Sequence, residues 1–239
     1  MNKILILISL FTLSAFTSQA QFGKLLDKGK EMINGTAGSG DIASGLKEAL
    51  NVGVDNAVKS LSAEDGYMES PYKILIPEEA RKVTSKVSKV PGFQNVESDL
   101  IAKMNEAAEI AAKKATPIFI NAIKQMSFKD ATNILMGDND AATRYLDKTS
   151  RQQLYAEFMP VIQKALDEVN AREYWQSAVS AYNKIPFTSK MNPELDDHVN
   201  NKALDGMFQL IQKKEEGIRN DKNLRTSPLL KEVFAQQDK

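Results

Sequence analysis

Apolar residues run almost unbroken from Ile4 to Leu13 behind a single charge, Lys3, and give way to Thr17-Ser18-Gln19-Ala20. A positive start, an apolar centre and a small-x-small ending predict a secretory signal cut after Ala20. The run is shorter than the ~20 residues a membrane-crossing helix needs, so removal is expected rather than anchoring. In residues 21–33, Phe22, Leu25, Leu26, Met32 and Ile33 share a helical face, with Lys24, Lys28 and Lys30 off it. This is either a surface-seeking amphipathic helix or a terminus docked on the domain. Residues 34–40 (NGTAGSG) read as a flexible linker, completing a 21–40 lead-in.

From Asp41, an expected N-cap, apolar positions recur at steps of three and four. Ile42, Leu46, Ala49/Leu50, Gly53/Val54, Ala57/Val58 and Leu61 predict a helix over 42–61, followed by a loop over 62–76. Ile74-Leu75-Ile76 has no second apolar run to pair with, so it is expected as extended chain lying on helices. Pro77-Glu78-Glu79 opens the next helix, and Pro91-Gly92 ends it. The clearest stripe is Leu100, Met104, Ala107, Ala111, Ala115, Ile118, Ala122 and Met126, a central helix over 95–126. Pro117 either kinks it or follows a break at Thr116. Short helices follow over 128–136, capped by Ser127, and from Asp138 to Leu146. Longer ones are expected over 150–170, with Pro160 inside, over 172–184, over 194–216, and finally over 226–235. The expectation is an all-α, single-domain multi-helix bundle over residues 41–236, with about eight or nine helices and no substantial sheet.

Composition narrows the function. The chain has 239 residues, 42% hydrophobic and 26% charged, with 31 basic against 31 acidic residues. Loss of Lys3 with the leader leaves a net charge near −1, so no nucleic-acid partner is expected. There is no cysteine and one histidine, His198. Disulfides, Cys–His catalysis and a lipoprotein-type anchor therefore drop out, and the His-Glu-x-x-His motif is absent. No cofactor is called for. Asp138-Asn139-Asp140 resembles the start of a calcium loop but has Thr143 where glycine belongs and Thr149 at the twelfth position. An Asp cap after the Gly137 stop explains it better.

Carboxylates remain as acid/base candidates. Glu106 and Glu109 sit three apart on the central helix and share a face, which suits glycan hydrolysis if that face lines a cleft and a solvated surface otherwise. Asp130, Asp140 and Arg144 are candidates for a polar cluster where short helices meet. Arg219 and Arg225 flank the last connection, placed either to clamp an anion or to hold helix-terminal carbonyls.

Several segments together carry a resemblance. They are Gly45-Leu46-Lys47-Glu48-Ala49-Leu50, Gly66-Tyr67 with Ile76-Pro77, and Met104-Asn105-Glu106-Ala107-Ala108-Glu109. Further along come Ile118-Phe119 through Asp130-Ala131 with Ile134-Leu135, then Gly137 to Thr143. The last are Glu215-Glu216-x-Ile218-Arg219, Arg225-Thr226 and Leu229 to Phe234, with Lys222-Asn223 departing from an Asn-Pro turn. Over roughly 41–236 the chain resembles the bacterial family catalogued as domain of unknown function 4197. The resemblance implies one secreted or periplasmic domain and brings no activity or site residue. The leading expectation is a non-enzymatic periplasmic protein that binds an apolar ligand or an envelope protein partner, in a groove left by the two helix-interrupting prolines. A carboxylate hydrolase, or peripheral membrane contact through 21–33, are the alternatives.

Overall fold

A computed structural model of the chain describes residues 39–89, 94–168, 171–184, 186–187, 190, 194–235 and 238. Among these the backbone forms nine α-helices and no strand. They are α1 (Ser39–Leu61), α2 (Glu78–Val87), α3 (Val96–Ala112), α4 (Ala115–Gln125), α5 (Phe128–Leu135), α6 (Ala141–Glu168), α7 (Ala171–Asn183), α8 (Asp196–Asn220) and α9 (Pro228–Phe234). A 3-10 turn at Lys222–Leu224 joins the last two. The chain is thus an all-α, multi-helix protein, with one compact unit over Ile42–Lys239. The leader, the amphipathic segment 21–33, linker residues 34–38, the Pro91-Gly92 turn and Asn192-Pro193 lie outside the described residues.

Helix α1 already contains Ser39, Gly40 and Asp41, so Asp41 lies inside it rather than capping it. Glycine in a helix costs only about 1 kcal/mol against alanine, so the small residues do not stop the helix. At the centre, α3, α6 and α8 pack along one another. Every member of the Leu100-to-Met126 stripe is buried, and the alanines at 107, 111 and 115 are fully so. Small side chains let neighbouring backbones come close. Phe119 of α4 meets Phe208 of α8 edge to face, 5.7 Å between ring centres.

The central helix is two helices. The break falls at Lys113-Lys114, where the Lys114 N–H turns back to the Ala111 carbonyl, and Pro117 is the third residue of α4. Proline clashes with the carbonyl four residues back in a continuous helix. In the first turn of a new helix it has no such carbonyl to meet, which places the break before Thr116 and not at it.

The opposite correction applies to residues 141–168. The polar run Asp147 to Gln153 suggested a boundary, but α6 crosses it without a break. Ser150 is buried and satisfies its hydroxyl on the Leu146 carbonyl. Arg151 pairs with Asp147 and, at 2.9 Å, with Asp205 of α8, while its guanidinium covers the Phe208 ring at 4.9 Å. Polar residues here are interhelical contacts, which a single-helix periodicity does not register.

The Ile74-Leu75-Ile76 segment is extended, with Ile74 and Ile76 buried and Leu75 exposed. Asn105 of α3 takes the place of a strand. Its Oδ1 accepts the Ile74 N–H at 2.8 Å, and its Nδ2 donates to the Ile74 carbonyl at 2.9 Å. Upstream, Tyr67 is fully buried and donates its hydroxyl to the Ala203 carbonyl at 2.7 Å. Burial, then the nearby Glu109 carboxylate, pushes its pKa up. A Cβ on Gly206 would stand 3.2 Å from the Tyr67 ring, so glycine admits the tyrosine against α8.

Candidate functional site

The structure separates the two central carboxylates. Glu106 is exposed and pairs with Lys103 at 3.0 Å. Glu109 is half-buried, and its Oε1 accepts the backbone N–H groups of Tyr67 and Met68 at 3.0 and 3.3 Å. One is a solvated surface pair and the other ties the 62–76 segment to α3. They do not face each other across a cleft.

Asp130 belongs to a capping box. Its carboxylate accepts the Ser127 hydroxyl at 2.6 Å and the Ser127 N–H at 2.9 Å, while the Ser127 Oγ accepts the Asp130 N–H. The Ser127 hydroxyl, then its N–H, hold the Asp130 carboxyl below the usual carboxylate range. Asp140 and Arg144 do meet, at 3.2 Å, joined by Asp138 at 2.7 Å. That cluster sits in solvent at the start of α6, where water screens such a pair and it adds little to stability.

Arg219 lies in α8, because that helix runs four residues past its expected end. It forms a buried ion pair with Glu215, Nη2 to Oε1 2.7 Å. Its Nη2 and Nη1 also donate to the carbonyls of Ile134 and Leu135, at 2.8 and 3.1 Å. Glu215 in turn accepts the N–H groups of Ala142 and Thr143 and the Thr143 hydroxyl. The cation therefore faces the negative end of α5 and the carboxylate faces the positive end of α6. Arg225 caps α8, donating to the Ile218 and Arg219 carbonyls at 3.0 and 3.1 Å and pairing with Asp238 at 2.7 Å. That bond from Arg225 holds the Asp238 carboxyl at about 2. Phe234 of α9 packs against both guanidinium groups, at 5.4 and 5.9 Å. Both arginines are thus occupied by helix ends. His198 places Nε2 2.8 Å from the Leu75 carbonyl and fixes the start of α8 to the extended segment.

The concave feature lies elsewhere. Pro117 and Pro160 are exposed, and the alanine stripe is closed inside the core, so the prolines do not frame it. Instead, a groove of about 590 Å³ runs between α1 and α8. Its α1 wall is Ala49, Val52, Gly53, Asn56 and Ser60; its α8 wall is Leu210, Lys213, Lys214, Gly217 and Ile218. Tyr72 and its neighbours Ser70 and Pro71 border it, as do Leu224, Thr226 and Leu230. Each wall repeats at three and four residues, so each is one face of one helix. A Cβ placed on Gly53 would meet nothing within 4 Å. Val52 and Leu224 are left 42% and 50% exposed, large apolar groups facing open space.

Sequence periodicity counted Gly53 with the buried stripe of α1. Val54 is the core member, and Gly53 is the gap. The available signal was Gly53 itself, a glycine inside a helix that it weakens; Gly217 on the α8 wall instead makes way for Leu224, whose Cδ1 would lie 2.9 Å from a Cβ there.

Among the described residues no group of three or more His, Asp or Glu side chains is placed to hold a metal ion, and no helix is long and apolar enough to cross a membrane. The model of a family described as Protein of unknown function (DUF4197) matches residues 36–235. No curated protein and no solved structure matches the chain.

Proposed function

The chain belongs to the DUF4197 family, and we propose that it is a non-enzymatic binding protein that holds an apolar ligand between α1 and α8. The observation that carries this is the α1–α8 groove itself. Its volume falls within the ~300–1,000 Å³ of small-molecule sites, and its walls combine apolar side chains with a few polar ones. The other candidates point the same way, because Glu109, Arg219 and Arg225 are engaged in holding the fold and Glu106 lies in a solvated surface pair. A neutral apolar dye such as Nile red tests the reading. It is expected to bind with one site per chain, and Gly53→Leu, whose Cβ enters open space and whose longer side chain extends into the groove, is expected to abolish binding while the thermal melt stays intact. Dye binding unchanged by Gly53→Leu would remove the groove from the account.

We further propose that the protein works in the periplasm. The apolar run behind Lys3 and the small residues before Gln21 support export and cleavage. N-terminal sequencing of protein recovered from the periplasmic fraction is expected to begin at Gln21; protein that stays in the cytosol with Met1 in place would contradict it.

A further inference from the structure

The groove has a charge pattern that its apolar walls do not explain. Two of its lining residues are lysines, Lys213 and Lys214, adjacent on the α8 wall, and among the described residues no carboxylate lines it. Lys213 is exposed and Lys214 half-buried. Among the described residues neither is in an ion pair, although the next residue along, Glu215, is drawn inward to Arg219. The remaining polar neighbours, Asn56, Ser60, Ser70 and Thr226, are neutral. A lysine lays its apolar stem along a greasy wall and keeps its ammonium in water, so the α8 rim presents two uncompensated cations beside an apolar trough. In a chain of balanced charge, that local excess is a property of the groove and not of the whole surface.

Size selects among anionic amphiphiles. A cavity of ~150 Å³ holds a six-carbon ring, so at the same ratio the groove holds on the order of two dozen carbons. That is one long acyl chain with its head, and too little for a two-chain lipid. Resting on the groove reading above, we propose that the occupant is a long-chain fatty acid, its chain lying over Gly53 between α1 and α8 and its carboxylate at Lys213 and Lys214.

Displacement of Nile red from the full chain by hexadecanoate and by hexadecan-1-ol separates the claims. Charge-assisted hydrogen bonds favour the acid, so hexadecanoate is expected to bind at least about tenfold more tightly than the alcohol. Lys213→Gln with Lys214→Gln is expected to erase that margin and leave the alcohol unchanged, and Gly53→Leu is expected to weaken both. Equal affinity for acid and alcohol would overturn the anion assignment while leaving the groove as a site. Dye binding that neither compound displaces, but that an acidic amphipathic peptide does, would overturn the acyl assignment and give the groove to a protein partner. Failure of the dye itself to bind would remove the groove reading and this inference together.

Discussion

At the scale of single residues, the polar chemistry of this chain is mostly spent on helix ends. Glu215 and Arg219 form the densest case, a buried pair that closes the start of α6 and the finish of α5 at once. Removing one partner leaves the other charge buried and alone, at a cost of about 3–5 kcal/mol. Glu215→Ala and Arg219→Ala are each expected to lose that much in urea unfolding, and the double variant to lose clearly less than their sum. The Arg225–Asp238 pair gives a pH signature. The Asp238 carboxyl sits at about 2 when folded, below the usual carboxylate range. Its stabilisation is therefore complete above the ordinary carboxylate pKa of about 4 and disappears as pH falls toward about 2. Asp238→Asn is expected to melt below the parent at pH 6 and to converge with it by the lower end of that window; a gap that persists there would refute the pairing. Asp130, expected with Asp140 and Arg144, closes the capping box on Ser127 instead, whereas the Ser127 cap was readable from sequence because it is local. Glu215 was not, because it meets Ala142 from 73 residues away, and no local pattern marks a carboxylate destined for a remote helix end.

At the scale of elements, periodicity located the helices and misplaced some of their boundaries. The alanine stripe of α3 and α4 was legible because one face is apolar throughout. The continuity of α6 was not, because its middle meets α8 through half-buried paired polar groups, Arg151 among them, that look like solvent-facing ones. Pro160 sits inside α6 and is exposed. An internal proline removes one helical hydrogen bond, so Pro160→Ala is expected to raise the melting temperature, by up to about 3 kcal/mol of stability. The 62–76 segment depends on Asn105, whose amide bonds both backbone groups of Ile74. Asn105→Leu leaves those groups unpaired in a buried site, with an expected cost of about 2–4 kcal/mol, and hydrogen exchange at Ile74 is expected to speed up by the corresponding factor. Unchanged exchange there would show that the segment is held by packing alone.

At the scale of the whole molecule, the described helices close a core around α3, α6 and α8 and leave a groove between α1 and α8. The family assignment fixes which proteins this chain is related to, and the open groove supplies the functional reading. Its walls were hidden in the sequence because a glycine such as Gly53 falls in step with the apolar stripe without filling it, and because the two lysines look like any solvated pair until α8 is placed beside α1. Methyl-labelled NMR titration with hexadecanoate tests the account most directly. Saturating shifts at one equivalent are predicted for Val52, Leu210, Ile218 and Leu224, with Leu100 and Leu154 in the core unmoved. Shifts that gather elsewhere, or none at one equivalent, would contradict it.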